Sequence, residues 1–403
     1  MLAFPVPQLE EPMHGLRFPA AIVAAAIAST AVAADDRCVT SGQWMRPADN
    51  EKIIAQDVID DLVRRPIVLL GETHDRAAHH HWQLHTIAAL HGRNPNIVLA
   101  FEAFPRSVQP ALDRWVQGLI DRRQFLDESR WFDVWRFEPA LYMPLFEFAR
   151  MHRVPMLAMN ADRDLVSRVG REGWAAIPAA ARHGIGDPAT PTTAYRAELK
   201  SVFDQHRRQA RGAGTEDDPD AFERFVEAQQ TWDRAMAEAL AMARQGDSAK
   251  PLVVGIVGSG HLEYGHGIPH QLDDLGITDA IVLMPWETSQ PCDALKTDAG
   301  PIADVVFGIA TGPSKTTQWR PLLGVMIEDG DGGVGVTRVI GDSVAEAAGV
   351  KAGDVIIDAA GTPTARTADL IRIVRRQAPG TWLPVTVRRD GETVDLIGKF
   401  DPR

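Results

Sequence analysis

Apolar positions along the chain fall into two alternating rhythms. Unbroken apolar runs at Ile67–Leu70, Ile97–Phe101, Pro155–Met159, Leu252–Val257 and Ala280–Met284 have the pattern of strands covered on both faces. Between them, Asp49–Leu62, Ala77–His91, Pro110–Leu119 and Ala140–Met151 carry apolar residues at helical spacing. Strands alternating with helices predict right-handed crossovers and an α/β fold, a mainly parallel sheet flanked by helices, over residues 50–286. From Asp162 to Gln245 the pattern is helical alone, broken by a loop at 211–219, which predicts a helical insertion at 162–245 able to cover a site. Residues 287–320 are polar and irregular and read as a linker. From Pro321 to Arg403, short strands with Gly-rich turns and two helices predict a separate small β-rich domain.

Polar residues collect where the predicted strands end, and in open α/β sheets ligands bind outside those carboxyl ends. Glu72 and His74 follow the first strand, Glu102 the second and Asn160 the third. Gly71-Glu72-Thr73-His74 and Gly258-Ser259-Gly260-His261 are one short device, Gly-x-x-His, used twice. His74, His261, Glu72 and Glu102 are of the types that hold a divalent metal ion. A metal-bound water beside a free glutamate, Glu72 or Glu102, would make a hydrolytic centre with the glutamate moving protons. The plainer account is that Glu72 and His74 hydrogen-bond neighbouring loops. His79-His80-His81 with His85 resemble a metal tract, but consecutive helical histidines point apart and only His81 and His85 share a face.

The formal net charge of -12 speaks against a general nucleic-acid binder. Phe18–Ala33 is an apolar, small-residue run with Arg17 before it and Ala31-Val32-Ala33 at its end, which reads as a signal peptide, residues 1–33, cleaved after Ala33. It is too short and Ala-rich to be a good membrane span, and no other stretch is long and apolar enough. Glu10 and Glu11 before it are foreign to a charged leader and make Met13 an alternative start. Cys38 follows Asp35-Asp36-Arg37 instead of a small-residue lipidation box, so the expectation is a periplasmic, unanchored protein. Cys292 is the other of two cysteines; export allows a Cys38–Cys292 disulfide, with two unpaired thiols the equal alternative.

The last segment resembles a PDZ domain of the bacterial HtrA type. Pro321-Leu322-Leu323-Gly324-Val325 stands where such domains have the carboxylate-binding loop and first strand, and Val344–Ile356 matches their most recognisable run. The resemblance implies strand addition: backbone N–H groups around Leu322, Leu323, Gly324 and Val325 take the C-terminus of a protein or peptide partner.

The larger domain resembles the ChaN-like haem-binding family, part of the group that includes the TIKI metalloproteases. Gly71-Glu72-x-His74-Asp75 with His79-His80-x-x-Gln83-Leu84 matches its opening motif. Phe101-Glu102-x-Phe104, Ala228-Gln229 with Trp232-Asp233, and Gly258-x-Gly260-His261 with Gly267-Ile268-Pro269 continue it in order. Two departures stand out: many relatives are lipoproteins, and the methionine usual after the second glutamate is Ala103. The resemblance implies haem, which needs an apolar pocket, axial ligands and cations for the propionates. Tyr142 and Tyr264, among three tyrosines, are the candidate phenolate ligands; His79, His80 and His266 are candidate imidazoles. Trp131, Trp135 and Phe137 would supply wall, and Arg106 or Arg136 the cation. Leu141, Leu145 and Phe148 around Tyr142 look like core, so its plainer account is a buried structural tyrosine. Together the resemblances imply an exported haem- or iron-binding protein with a partner-binding PDZ domain. The alternative from another class is a TIKI-like metal-dependent hydrolase, a peptidase, built on the paired Gly-x-x-His motifs.

Overall fold

The computed structural model describes residues 38–135, 137–210, 218–245, 250–311 and 321–402. The signal-peptide segment, Arg136 and most of the 211–219 loop lie outside the described residues.

Five parallel pairings join the central strands of one sheet: β3 (Ile67–Glu72), β4 (Ile97–Pro105), β5 (Met156–Asn160), β6 (Leu252–Gly258), β7 (Ile281–Glu287) and a late strand, β10 (Val305–Ile309). Two short strands, β1 (Trp44–Arg46) and β2 (Glu51–Ile53), extend it antiparallel, giving the order β2-β1-β10-β7-β3-β6-β4-β5. The sheet is thus mainly parallel, as the alternation of runs requires. Its two faces pack different cores. Val68, Leu70, Val254 and Ile256 point into one, beneath the helices Ala77–Arg93 and Pro139–His152. Ile67, Leu69, Val253 and Val257 point into the other, beneath Ala221–Met242 and Ile268–Asp274. That period of two explains the unbroken apolar runs, since each side chain is buried whichever way it points. Each such burial is worth about 2 kcal/mol.

The expected linker at 287–320 is corrected by the structure. It contains the small hairpin β8 (Lys296–Thr297) and β9 (Gly300–Pro301), then β10, which pairs with β7 inside the sheet. The polar lead-in likewise supplies β1, and Cys38 is disulfide-bonded to Cys292 with Cα atoms 5.6 Å apart, fastening the lead-in beyond the end of β7. No described helix is long and apolar enough to cross a membrane.

The C-terminal segment forms a second, antiparallel sheet: β11 (Val325–Gly330), β12 (Gly333–Val339), β13 (Val355–Ala359), β15 (Trp382–Arg389) and β16 (Glu392–Lys399), with β14 (Thr362–Pro363) beside β13. Its own core includes Leu323, Val334, Ile356, Leu370 and Val385. β11 is an edge strand.

Candidate functional site

β3 and β6 are neighbours, with Glu72 opposite Gly258, so the two Gly-x-x-His devices emerge side by side at the carboxyl end of the sheet. A Cβ at Gly258 would stand 2.7 Å from His74 Cε1 and 2.9 Å from its Nε2, so only glycine lets the imidazole lie against β6. On the other side of β6, the pairing of β4 with β5 shifts register between Phe101 and Pro105. Glu102 sits in that irregularity, which re-aims its side chain across the sheet. Its Oε2 accepts the Gly258 N–H at 2.6 Å and its Oε1 lies 3.6 Å from His261 Nε2.

Each histidine is held from behind by a carboxylate that in turn accepts a tyrosine hydroxyl. Glu72 Oε1 meets His74 Nδ1 at 2.8 Å and accepts the Tyr142 hydroxyl. Asp233 Oδ1 meets His261 Nδ1 at 2.6 Å while its Oδ2 accepts the Tyr195 hydroxyl at 2.7 Å. A carboxylate on Nδ1 fixes the ring and leaves Nε2 for another partner. Burial opposes the charge on His261, but Asp233 and Glu102 outweigh it and raise its pKa to about 9. His74 is also raised: burial is overcome by the Glu72 hydrogen bond and by Glu102.

Glu72 anchors more than one ring. Burial alone would raise its pKa, yet His74 and His80 hold it well below the carboxylate range. His80 Nδ1 stands 3.1 Å from Glu72 Oε2 and 3.2 Å from Gln83 Oε1, and its Nε2 is 3.1 Å from the His74 carbonyl oxygen. Gln83 spends its Nε2 on the Leu70 and Gly71 carbonyls, so its oxygen faces His80. Both His80 nitrogens therefore face acceptors, which suits the imidazolium; burial is outweighed by Glu72 and its pKa is raised. His79 differs. Its Nδ1 accepts the Thr73 N–H at 2.9 Å, and burial, aided by charged His80, lowers its pKa to about 4.

Beyond these groups opens a cavity of about 260 Å³ lined by Glu102 and His261, the aromatic Trp135, Phe137 and Trp232, and Arg163 at the start of the Arg163–Glu172 helix. His74 packs edge-on to Trp135, ring centroids 4.7 Å apart.

A model of the family described as haem-binding uptake, Tiki superfamily, ChaN, matches residues 58–272, more than half of the chain. The chain belongs to the ChaN family. Its ChaN-family domain resembles in fold the haem-bound ChaN of Campylobacter jejuni, whose haem binding is cofacial: identity is 21%, TM-score 0.50, with 66% of this chain and 95% of that one covered. A PDZ-domain model matches residues 321–397, so the chain carries a PDZ domain after the ChaN-family domain. Two further similar structures are the HtrA-type protease AlgW with a decapeptide, 25% identical over 21% of this chain and 30% of that one at TM-score 0.20, and a serine endoprotease from Yersinia pestis, 27% identical over 20% and 29% at TM-score 0.19. Among curated proteins none matches the chain.

Within the ChaN-family domain the expected site residues divide. His261 and Glu102 line the cavity, and His74 packs behind its Trp135 and Phe137 wall. Glu72 does not line it; it is buried behind His74, away from any proton-transfer position facing the cavity. Among the described residues no group of three or more His, Cys, Asp or Glu side chains is placed to hold a metal ion. The physical reason is that the four expected ligands pair with one another, with the Gly258 N–H and with Asp233.

The expected haem ligands are redistributed as well. His79 and His80 are buried under the strand end, and His266 Nδ1 pairs with Glu198 Oε2 at 2.9 Å. Tyr142 is buried under Glu72; burial and that carboxylate raise its pKa well above the ordinary tyrosine value, which disfavours a phenolate. Tyr195 is raised in the same way by burial and Asp233. Tyr264 alone has no hydrogen-bond partner for its hydroxyl among the described residues, and it occupies the left-handed region at φ 57° three residues after His261. Arg106 is spent on the Ala235 carbonyl and Glu238, leaving Arg163 as the cation at the cavity among the described residues.

In the PDZ domain, Leu323 is buried, Leu322 is exposed, Gly324 turns at φ +83° against Ser343, and Val325 begins the edge strand β11. That is the loop-and-edge geometry on which strand addition depends.

Proposed function

We propose that this is an exported haem-binding protein in which Tyr264 supplies the axial ligand and the PDZ domain recruits a protein partner by its C-terminus. Family membership supports the cofactor. The observation that carries the ligand is the division of the tyrosines: Tyr142 and Tyr195 are locked as donors to buried carboxylates, whereas Tyr264 sits on a strained turn at the strand end with its hydroxyl unspent.

The residues present fit a porphyrin in kind. Trp135, Phe137 and Trp232 offer aromatic wall and Arg163 a partner for a propionate; Tyr264, outside the cavity lining and three residues after His261, would bring a phenol that deprotonates on binding iron. A cavity of about 260 Å³ lies below the roughly 300–1,000 Å³ of sites that enclose a whole ligand, so its walls take in part of the ring system. The bound haem would supply the redox or iron-carrying chemistry; the protein positions it and shields one side from water. His261, which lines the cavity with its Nδ1 held by Asp233, would hydrogen-bond groups entering it.

The Cys38–Cys292 bond supports export, because such bonds persist in oxidising compartments, and the signal-peptide reading of residues 1–33 points the same way. The divalent-metal hydrolase alternative finds no support in the placement of the described side chains. The test is haemin titration of the wild-type chain against Tyr264→Phe and Tyr142→Phe, with loss or displacement of the Soret change expected for Tyr264→Phe alone.

A further inference from the structure

The PDZ helix Thr367–Arg375 is committed on two sides. Leu370, Ile373 and Val374 lie in the PDZ core. Ala368 is instead buried in the core of the ChaN-family domain, and Ile371, one helical turn on, packs against that same core. Charges extend the contact. Arg366 Nη1 meets Asp133 Oδ2 at 3.0 Å, Arg372 Nε lies 3.4 Å from Asp127 Oδ1, and Arg375 Nη1 donates to the Phe137 carbonyl at 3.4 Å.

All of these partners lie between Asp127 and Phe137. That stretch contributes Val134, Trp135 and Phe137 to the cavity and packs Trp135 and Phe137 against His74. Its regular structure is slight: the helices Arg122–Glu128 and Trp131–Val134 are each no more than two turns long and cannot hold themselves by backbone bonding. Its order comes from packing, on one side from Trp131 in the domain core and on the other from the PDZ helix. The start of that helix is also tied to β11, where Asp329 Oδ1 accepts the Thr367 N–H at 2.6 Å.

We infer that the Thr367–Arg375 helix is an outer brace of the cavity wall and couples the PDZ edge strand to the ligand site. For the identity of the ligand this rests on the haem reading above; the brace itself does not. A peptide adding beside β11 meets a helix whose other side holds Asp127, Asp133 and the Phe137 carbonyl, in the stretch that carries Trp135 and Phe137. Occupancy of either place then biases the other, and by linkage the bias is mutual.

The test is hydrogen exchange read by mass spectrometry on the full chain without haem, followed by haemin titration of the same samples. Ala368→Arg puts a bulky charge into the contact while leaving Leu370, Ile373 and Val374 in the PDZ core. It is expected to speed exchange at 125–135 about fivefold and to weaken haemin binding by a similar factor. Exchange over β3, β6 and β12 stays slow if both domains remain folded. Arg366→Asp, a partly exposed ion-pair change, gives a smaller effect of about twofold that Asp133→Arg in the same chain reverses. Unchanged exchange at 125–135 in Ala368→Arg and Arg366→Asp overturns the brace. Faster exchange with unaltered haemin affinity overturns its coupling to the ligand site. If the wild-type chain takes up no haemin, the haem reading fails, and the exchange data still judge the brace.

Discussion

Asp233 holds His261 from behind, Oδ1 to Nδ1 at 2.6 Å, and does so as the middle member of a Tyr195–Asp233–His261 chain. Tyr142, Glu72 and His74 repeat the arrangement on the neighbouring strand. At Asp233 the tyrosine takes one carboxylate oxygen and the imidazole the other, whereas at Glu72 both share Oε1 and Oε2 faces His80. Asp233→Asn keeps the size and removes the charge, so the His261 pKa should fall from about 9 toward the ordinary value of 6.5. An NMR titration of the His261 ring checks this. An unshifted value in the variant would mean that Asp233 does not set the charge of His261.

Stability should depend on pH through Glu72 and His80. The folded pKa of His80 is raised, so its contribution is complete below the unfolded value of 6.5 and is lost as pH rises through the folded value. Glu72 is depressed, so its contribution is complete above 4.5 and is lost only as pH falls through a far lower folded value. The pair therefore stabilises most between these two unfolded values and weakens on the alkaline side. Thermal unfolding from about pH 5 to pH 9 should show wild type losing its advantage over Glu72→Gln as pH rises. The difference between the two proteins carries His74 as well, whose pKa Glu72 also raises and which acts in the same sense, while His79, lowered chiefly by burial, acts in the opposite sense in both. A gap that is constant or widens with pH would contradict the pairing.

The Cys38–Cys292 bond closes a loop with a sequence separation of 254 residues. Constraining an unfolded chain over that span is worth about 5 kcal/mol. Cys292→Ser, or reduction of the wild type, should lower the free energy of unfolding in guanidinium by about that amount. Coincident unfolding curves for the oxidised and reduced protein would show that the bond does not contribute.

The sheet centre was legible because strands buried on both faces are continuous apolar runs. β3 and β6 stand out for that reason, and the repeated Gly-x-x-His after them marked His74 and His261. β10 was hidden because Val305–Ile309 is short and stands in the sequence among Pro301, Asp304, Gly312 and Pro313, so composition made the region look like a linker. Asp233 carries its own signal in the sequence. It is a charged residue on the apolar side of a helix, flanked at helical spacing by buried Gln230, Met236 and Ala237. A charge in such a place is retained only if something pairs with it. The separation of Tyr142 from Tyr264 was not legible, because it depends on Glu72 reaching a residue seventy positions away in the chain. Nor was the brace, since the charges of Arg366 and Arg372 look solvated until Asp133 and Asp127 are placed beside them.

The central claim, that this ChaN-family chain binds haem through Tyr264, is tested most directly by titrating haemin into wild type, Tyr264→Phe and Tyr142→Phe and following the Soret band. Wild type and Tyr142→Phe should give the same saturable change, with Tyr142→Phe less stable by about 1 kcal/mol from loss of its bond to Glu72. Tyr264→Phe should bind at least tenfold more weakly or with a displaced band, as expected when an axial ligand is removed. A spectrum and affinity unchanged in Tyr264→Phe but altered in Tyr142→Phe would contradict the account.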